Sequence, residues 1–430
     1  MKLNKKSFFQ IHSWIGIKLS ILFFIVCFSG TLATLSNEMD WLFYPGLRAE
    51  KVGDRVPYND LARAVGEAFP SGELTYWIMP EETYLNDIAY VEVGDQRYYV
   101  FVDAYKGVVT GSTTVTFQRF FRDFHYYLFV PFYQIGYFVV LVFAFFLVVA
   151  LATALVFYKK WWKKFLDHKS SGSPLVFFRS LHRMVGLWSL PFALLFSVTG
   201  IWYFIERTNI GNVSGISNPP APKLEENGQE GKPTGSLSYT LDYDLAAKLA
   251  LEQIPDLRIG GIVPTSALTD PIYIRGKSSV PLVRKRSNRV YVDPVTYEVV
   301  EVQKATEIPR IMYLNDIADP LHFGNWGGLL TKVIWFFAGL SISGLILTGI
   351  WIALKRQAKK VQNLSAETLG IWKYINWGIA ITVFGFMYFF MSVRYSLSWP
   401  SFVIVTSILG GLGFLTWFVF VKKIRNSVRS

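Results

Sequence analysis

The sequence predicts an α-helical integral membrane protein with six transmembrane helices and two small α+β domains outside the membrane. Three observations support this fold class. Long apolar runs recur six times in a chain that is 52% hydrophobic, with a mean hydropathy of +0.31. Each run approaches or exceeds the roughly 20 apolar residues that cross a bilayer. Basic clusters flank alternate runs, and two long polar segments each contain a helical pattern followed by alternating strands.

The six runs divide the chain into membrane and outer segments. They cover approximately residues 11–34, 134–157, 184–205, 331–354, 371–392 and 400–421. A cleaved signal peptide could explain the first run, but its apolar part exceeds roughly 7–15 residues and no A-x-A site follows, so we expect a retained helix. The predicted division is a first transmembrane helix (1–34), a first outer domain (35–133), a second helix (134–157), a basic cytoplasmic loop (158–183), a third helix (184–205), a linker with the second outer domain (206–330), a fourth helix (331–354) and a C-terminal two-helix extension (355–430).

Basic residues mark one side of the membrane. The net charge is +12, and the basic clusters lie at both termini and in the loops that begin at Lys159 and Lys355. With six helices all four clusters fall on one side, as the positive-inside rule requires. We therefore expect both termini in the cytoplasm, a lipid bilayer as partner and no nucleic acid. The single cysteine, Cys27, excludes a disulfide framework and a multi-cysteine metal site.

The two outer segments resemble each other. The first contains LARAVGEAF and then IAYVEVGDQRYYVFVDAYKGVVTG, and the second contains LAAKLALEQIP and then DPIYIRG and VYVDPVTYEVVE. Alternating apolar and polar residues are typical of half-buried strands. Asp103 and Asp293 each follow a strand and are expected to open a turn. We expect a helix packed on a small antiparallel sheet, formed twice.

A pattern of histidine and glycine occurs twice, 170 residues apart. The matched pairs are His12 with His182, Gly16 with Gly186, and Gly30 with Gly200. A helix returns to the same face after four and after eighteen residues, so each histidine is expected to share a stripe with its two glycines, the second about 27 Å along the axis. Because glycine leaves space at the backbone, we expect these four glycines to give clearance to a large flat cofactor.

A second histidine pair lies at the opposite ends of the runs. His125 precedes the second run and His322 precedes the fourth, so both belong at the outer membrane surface. We expect His12 to pair with His182 and His125 with His322, while the fifth histidine, His168, is expected to be solvated. Neutral imidazole is a good axial ligand for iron, which favours two bis-histidine haems, one near each surface. A zinc or copper site and a proton relay are the alternatives.

These motifs resemble the PepSY-associated transmembrane-helix proteins, which include inner-membrane dihaem ferric-siderophore reductases. The resemblance rests on IHSWIG, LHRMVGLW, FRDFHYYLF and DPLHFGNWGG, and it covers roughly residues 5–358. It implies two b-type haems held by the four matched histidines, PepSY-like folds for both outer domains, and reduction of a ferric chelate at the outer face. It also implies a bacterial inner membrane location with the outer domains in the periplasm.

The chain departs from this family in two ways. The family core has four spans, so the chain adds a C-terminal pair, which could dock a partner, bind quinone or thicken the bundle. Tyr126 follows His125 where the family often has arginine. Arginines that could contact haem propionates instead, or else lipid phosphates, are Arg119, Arg122 and Arg183.

The sequence contains no recognisable site for a nicotinamide donor. No G-x-G-x-x-G motif follows a strand, so electrons are expected from a quinol or a separate reductase. The expected acceptor is a ferric siderophore or other ferric chelate, as for a ferric-chelate reductase in iron uptake. The basic run at 275–289 could attract an anionic chelate, or could be a solvated hairpin. The alternatives are a haem-free PepSY-type envelope sensor or regulatory protein, and a transporter of iron or siderophore.

Overall fold

The computed structural model describes residues 4–169, 172–224, 237–265, 267–357 and 370–423. The chain divides into two compact units, one mainly helical and one built on a sheet. The helical unit comprises the described residues within Met1–Leu35, Phe121–Phe204 and Leu329–Ser430, and the sheet unit those within Ser36–Phe120 and Ile205–Gly328.

The α-helices and strands alternate in blocks along the chain. In chain order the helices are α1 (Lys5–Lys18), α2 (Ser20–Thr34), α3 (Ser36–Phe43), α4 (Tyr58–Ala68), α5 (Phe117–Tyr127), α6 (Tyr133–Phe157), α7 (Pro174–Trp188), α8 (Leu190–Arg207), α9 (Val213–Ser217), α10 (Tyr243–Gln253), α11 (Arg310–Phe323), α12 (Gly328–Gln357), α13 (Trp372–Phe389) and α14 (Trp399–Trp417). The strands are β1 (Glu73–Ile78), β2 (Asp87–Val93), β3 (Gln96–Asp103), β4 (Val108–Thr113), β5 (Arg258–Val263), β6 (Ile272–Lys277), β7 (Asn288–Val292) and β8 (Val299–Gln303).

Among the residues described, four helices are long and apolar enough to cross a membrane. They are Tyr133–Phe157, Gly328–Arg356, Trp372–Arg394 and Trp399–Phe420. The number reaches six if α1 with α2, and α7 with α8, each count as one bent span. The chain is therefore a membrane protein, and the six predicted spans correspond to the upper limit of this range.

The first and third predicted spans are bent, where straight helices were expected. α1 and α2 meet at Leu19 with a bend of 73°, and α7 and α8 meet at Ser189 with a bend of 59°. Pro191 accounts for the second break, because it has no N–H and its ring crowds the carbonyl four residues earlier. The predicted stripe that joins His12 to Gly30 is therefore wrong, because residues eighteen apart share a face only on a continuous helix.

The strands form one sheet rather than the two small sheets that were predicted. In the described part of the chain, eight antiparallel strands lie in the order β4-β3-β2-β1-β5-β6-β7-β8, so each half is a four-stranded meander. The halves join where Trp77 and Ile78 of β1 pair with Ile262 and Gly261 of β5. A separate sheet would leave the backbone groups of each inner edge strand unpaired, and this pairing satisfies them.

The two repeats cap each other's helices over one face of the sheet. The Asp244 carboxylate accepts the backbone N–H groups of Tyr58 and Asn59 at the start of α4, at 2.7 and 3.0 Å. In return, the Asn59 side-chain oxygen accepts the backbone N–H of Tyr243 at the start of α10, at 2.7 Å. Trp77, which is fully buried beneath these helices, anchors their common core.

The strand-end aspartates open turns in both repeats, as predicted. Asp103 Oδ1 accepts the backbone N–H groups of Tyr105 and Lys106, at 2.9 and 3.0 Å. Asp293 Oδ1 accepts those of the residues two and three positions on, at 2.7 and 2.9 Å. The same local hydrogen bonding therefore ends β3 and β7, which supports an internal repeat.

Candidate functional site

His12 and His182 face each other within the helical unit. His12 lies on α1 and His182 on α7, and both side chains are half-buried. Their ring centroids are 6.5 Å apart and the ring planes are nearly perpendicular, at 87°. The predicted approach of these two histidines is therefore present, although each helix that carries one ends at a bend a few residues later.

Each of these two rings is held by a hydrogen bond from its Nδ1 atom. His12 Nδ1 lies 2.9 Å from the backbone oxygen of Ala150 on α6. A carbonyl only accepts, so this Nδ1 carries the proton. His182 Nδ1 lies 2.9 Å from Oγ1 of Thr348 on α12, and the Thr348 hydroxyl can donate its own proton to the Gly344 carbonyl at 2.9 Å. His182 is then also protonated at Nδ1, so both Nε2 atoms keep a lone pair.

The separation of the two ring centroids, 6.5 Å, is close to that expected for two imidazoles that bind one metal ion. Neither Nε2, of His12 or of His182, makes a hydrogen bond to any residue that the structure describes. Two imidazoles that bind one metal ion from opposite sides, each through a metal–nitrogen bond of about 2 Å, have ring centroids roughly 6 Å apart. This separation includes the distance from each nitrogen to the centre of its own ring. A histidine that binds a metal usually donates its other ring N–H to a neighbouring oxygen, which fixes the tautomer and orientation of the ring.

The predicted glycines fall into two classes. A β-carbon added to Gly16 would meet no atom within 4 Å, and one added to Gly186 would meet only the Leu345 side chain, at 3.9 Å. One added to Gly30 would stand 2.8 Å from the ring of His125, and one added to Gly200 would stand 2.7 Å from Ala144. Gly30 and Gly200 thus allow close packing within the protein, and a contact of the four glycines with a cofactor stays a prediction.

The outer histidines lie in different units. His125, on α5, donates from Nδ1 to the Val26 backbone oxygen at 3.0 Å and lies 3.2 Å from Ser29 Oγ, so it is held against α2 in the helical unit. His322 lies in the last turn of α11, after Pro320, in the sheet unit. The predicted pairing of these two histidines stays a prediction.

A buried ionic cluster holds the helix that carries His322. Arg284 Nε lies 2.7 Å from Asp319 Oδ2, and Arg286 Nη2 lies 3.0 Å from Asp316 Oδ1. Glu206, from the end of α8, lies within 3.7 Å of both arginines. These contacts join α11 to the loop between β6 and β7.

This cluster overturns the predicted role of the basic run at 275–289. The side chains of Arg284 and Arg286 are only 18% and 14% exposed. Lys285 donates to two backbone oxygens at 2.9 Å, and Arg289 donates to the Ser217 backbone oxygen at 2.9 Å. The run is neither an exposed patch for an anionic chelate nor a solvated hairpin, because these side chains are largely buried and are bonded to other groups of the sheet unit.

Two features were missed or misread from sequence, and a third, Arg183, was already a candidate there. Thr348 and Ala150 orient the histidine pair, and neither was predicted from sequence. The one available signal was the motif TGIW, which occurs in the third span and again at Thr348. Arg183, next to His182, has a buried Nε with no hydrogen-bond partner among the described residues. His168, which was expected to be solvated, is half-buried, and its ring packs edge-on against Phe177 at 5.0 Å between centroids.

Comparison with known proteins identifies a family for most of the chain. Residues 9–356 match the family described as PepSY-associated TM region. The resemblance inferred from the histidine motifs is thereby confirmed, and the match ends before α13 and α14. No curated protein matches the chain.

Proposed function

This chain belongs to the PepSY-associated TM family, and we propose that it is a membrane oxidoreductase that carries electrons across the bilayer on two b-type haems. One observation carries the proposal. His12 and His182 lie 6.5 Å apart between ring centroids, each is fixed through Nδ1, and each keeps Nε2 available as a ligand. This arrangement suits the two axial positions of one haem iron.

Haem fits a two-histidine site better than a free metal ion does. Protein-bound zinc takes three or four protein ligands. Within the ranges the structure describes, no group of three or more His, Cys, Asp or Glu residues could hold a metal ion. A porphyrin supplies four nitrogens itself, so the protein needs to provide only two axial ligands. The residues present therefore fit haem.

The chain's own residues would prepare this site in three ways. Ala150 and Thr348 hold the imidazoles in the tautomer that exposes Nε2 and increase its basicity. Gly16 leaves open space one turn from His12. The buried Nε of Arg183, which has no hydrogen-bond partner in the described ranges, suits an anionic propionate. When bound, haem supplies a one-electron couple at this position.

We assign a second haem to His125 and His322, which the repeat pairs at the outer surface. Electrons would come from a quinol or a separate reductase. The acceptor would be a ferric siderophore or other ferric chelate, which makes the protein a ferric-chelate reductase for iron uptake. It would lie in a bacterial inner membrane, with the sheet unit in the periplasm and both termini in the cytoplasm.

Haem content tests the proposal directly. The full chain is expressed with iron and a haem precursor, purified in detergent, and examined by reduced-minus-oxidised spectra and a pyridine haemochrome assay. We expect b-type bands and two haems per chain. His12→Ala and His182→Ala should each remove one haem, and the double variant should remove the same one.

His168→Ala is the matched control, because His168 belongs to neither proposed pair. This variant should retain both haems. A haem-free wild-type protein would refute the proposal and favour an envelope sensor or a transporter. Loss of both haems, or of none, in His12→Ala would refute the assigned pairing. Stopped-flow reoxidation of the reduced protein by a panel of ferric chelates would then test the acceptor.

A further inference from the structure

The bend in the first span is held by a residue from the C-terminal extension. Asn376 on α13 is 3% exposed. Its Nδ2 donates to the backbone oxygen of Lys18 at 2.8 Å, and its Oδ1 accepts the backbone N–H of Ile21 at 3.2 Å. Leu19 lies between these two residues, with non-helical backbone. One side-chain amide therefore bonds to both sides of the break between α1 and α2.

The same face of α13 packs along the first span. Trp372 contacts Trp14 on α1 edge-on, with ring centroids 5.6 Å apart. Val383 joins a buried cluster with Phe23 and Val26 on α2. The amide of Asn376 thus lies in an apolar interface, where the energetic cost of unpaired backbone groups is high.

The other end of this helix reaches the segment that carries His125. After α13 the chain forms a π-helical turn, Phe390–Arg394, and Tyr395 follows. The Tyr395 hydroxyl donates to Asp123 Oδ2 at 2.6 Å, and both side chains are buried. Asp123 lies on α5, two residues before His125. Phe390 adds a ring contact with Tyr127, at 6.0 Å between centroids.

We propose that α13 is a positioning strut for the two histidine-bearing segments, with Asn376 setting the orientation of α1 and Tyr395 that of α5. This inference rests on the proposed function for its redox consequence and on these contacts for its structural part. α1 carries His12 and ends at the non-helical Leu19, so the tilt of α1 sets the distance and orientation of the His12 ring relative to the His182 ring. The C-terminal pair would then orient the histidine-bearing helices rather than merely thicken the bundle.

Two substitutions separate the two ends of the strut. Asn376→Leu keeps the side-chain shape and removes the amide, and Tyr395→Phe removes one hydroxyl. The His12 haem is identified as the signal that is absent in His12→Ala. The His125 haem is identified as the signal that is absent in His125→Ala. In redox titrations and low-temperature EPR, Asn376→Leu should shift the midpoint potential and g values of the His12 haem alone. Tyr395→Phe should shift those of the His125 haem alone.

A matched control and a conservative variant complete the spectroscopic test. Tyr388→Phe removes a hydroxyl that bonds Thr406 on α14, at 2.6 Å, and should leave both haems unchanged. Asn376→Gln retains an amide and should restore part of the wild-type signal. If Asn376→Leu and Tyr395→Phe leave both potentials and both sets of g values at wild-type values in a two-haem protein, the strut assignment is wrong.

A distance measurement makes the inference independent of haem. Nitroxide labels on Gln10→Cys in α1 and Val142→Cys in α6, in a Cys27→Ser background, report the tilt of α1 by pulsed EPR. Both positions are exposed. Asn376→Leu should shift or broaden the distance distribution, and Tyr388→Phe should not. A shift in haem-free protein would support the strut while the proposed function fails, and an unchanged distribution would overturn the strut.

Discussion

The ring of His125 lies directly against Gly30, so that a β-carbon at Gly30 would stand 2.8 Å from Cε1 of the imidazole. The ring cannot simply move away, because its Nδ1 is bonded to the Val26 backbone oxygen and lies 3.2 Å from Ser29 Oγ on the same helix. Gly30, in the first span, therefore leaves the space that the His125 ring occupies. The eighteen-residue helical spacing had instead predicted that Gly30 lies on the same face as His12.

Gly30→Ala should displace the His125 ring. Alanine in a helix normally gains up to about 1 kcal/mol over glycine, but overpacking of this contact should reverse the sign and cost about 1–3 kcal/mol. Thermal unfolding in detergent measures the change. Gly378→Ala on α13, where an added β-carbon meets nothing within 4 Å, is the matched control and should be neutral or stabilising. Equal melting temperatures for the two variants would contradict the close packing.

Thr348→Val should weaken haem binding at the inner pair without removing either histidine. The hydroxyl oxygen lies 2.9 Å from His182 Nδ1 and can accept its proton, because the hydroxyl can donate its own to the Gly344 carbonyl. Loss of the hydrogen-bond partner of a metal-binding histidine typically lowers metal affinity about 10–100-fold. Haem titration of the apoprotein measures the change, and Thr348→Ser should restore affinity. The Thr416 hydroxyl donates to the Leu412 backbone oxygen of its own helix, so Thr416→Val should bind haem as the wild type does. A matching loss of affinity there would point to general destabilisation.

Local and repeated features of this chain were predictable from its sequence. The turns at Asp103 and Asp293 depend on residues within three positions, and the approach of His12 to His182 follows from the repeat. The bend at Leu19 was not predictable, because no proline marks it and its hydrogen-bond partner, Asn376, lies 355 positions from Ile21. Propensity and hydrophobic period report short-range preferences only.

The joined sheet escaped prediction for a related physical reason. Each repeat contains the signals for its own four strands, and nothing in either repeat alone indicates that β1 will pair with β5. The basic run was misread because charge in a sequence does not reveal its partners. Asp316 and Glu206, which neutralise Arg286, come from α11 and α8. Such partners become visible only in the folded chain.

Asp40 should make the stability of the fold depend on pH. It is 2% exposed and accepts the backbone N–H groups of Phe117 and Gln118 at the start of α5, at 2.5 and 3.0 Å. Burial raises the pKa of its carboxyl from 3.8 to about 7, although these two hydrogen bonds oppose the rise. Because the folded pKa is the higher one, the protonated carboxyl stabilises the fold at low pH, and this contribution is lost as pH rises through about 7.

Melting measurements between about pH 5 and 8 test this dependence. At about 1.4 kcal/mol per pKa unit, Asp40 accounts for a loss on the order of 3 kcal/mol over that interval. Asp40→Asn should flatten this part of the profile. Asp60→Asn, at an exposed position of α4, should leave it unchanged. A profile that stays equally steep in Asp40→Asn would show that another group titrates.

Asp316→Ala should be among the most damaging single changes in the sheet unit. Asp316 is fully buried, contacts Arg286 at 3.0 Å and accepts the Ser287 hydroxyl. Its removal takes away the nearest acidic partner of Arg286 and leaves the Ser287 hydroxyl without its acceptor, which costs on the order of 1–3 kcal/mol even though Glu206 still faces Arg286. Thermal unfolding should show this loss, whereas Glu252→Gln in the exposed pair with Lys248 should show none. Because α11 also carries His322, Asp316→Ala should release haem from the proposed outer pair before the inner one, and simultaneous release would contradict an anchoring role for this cluster.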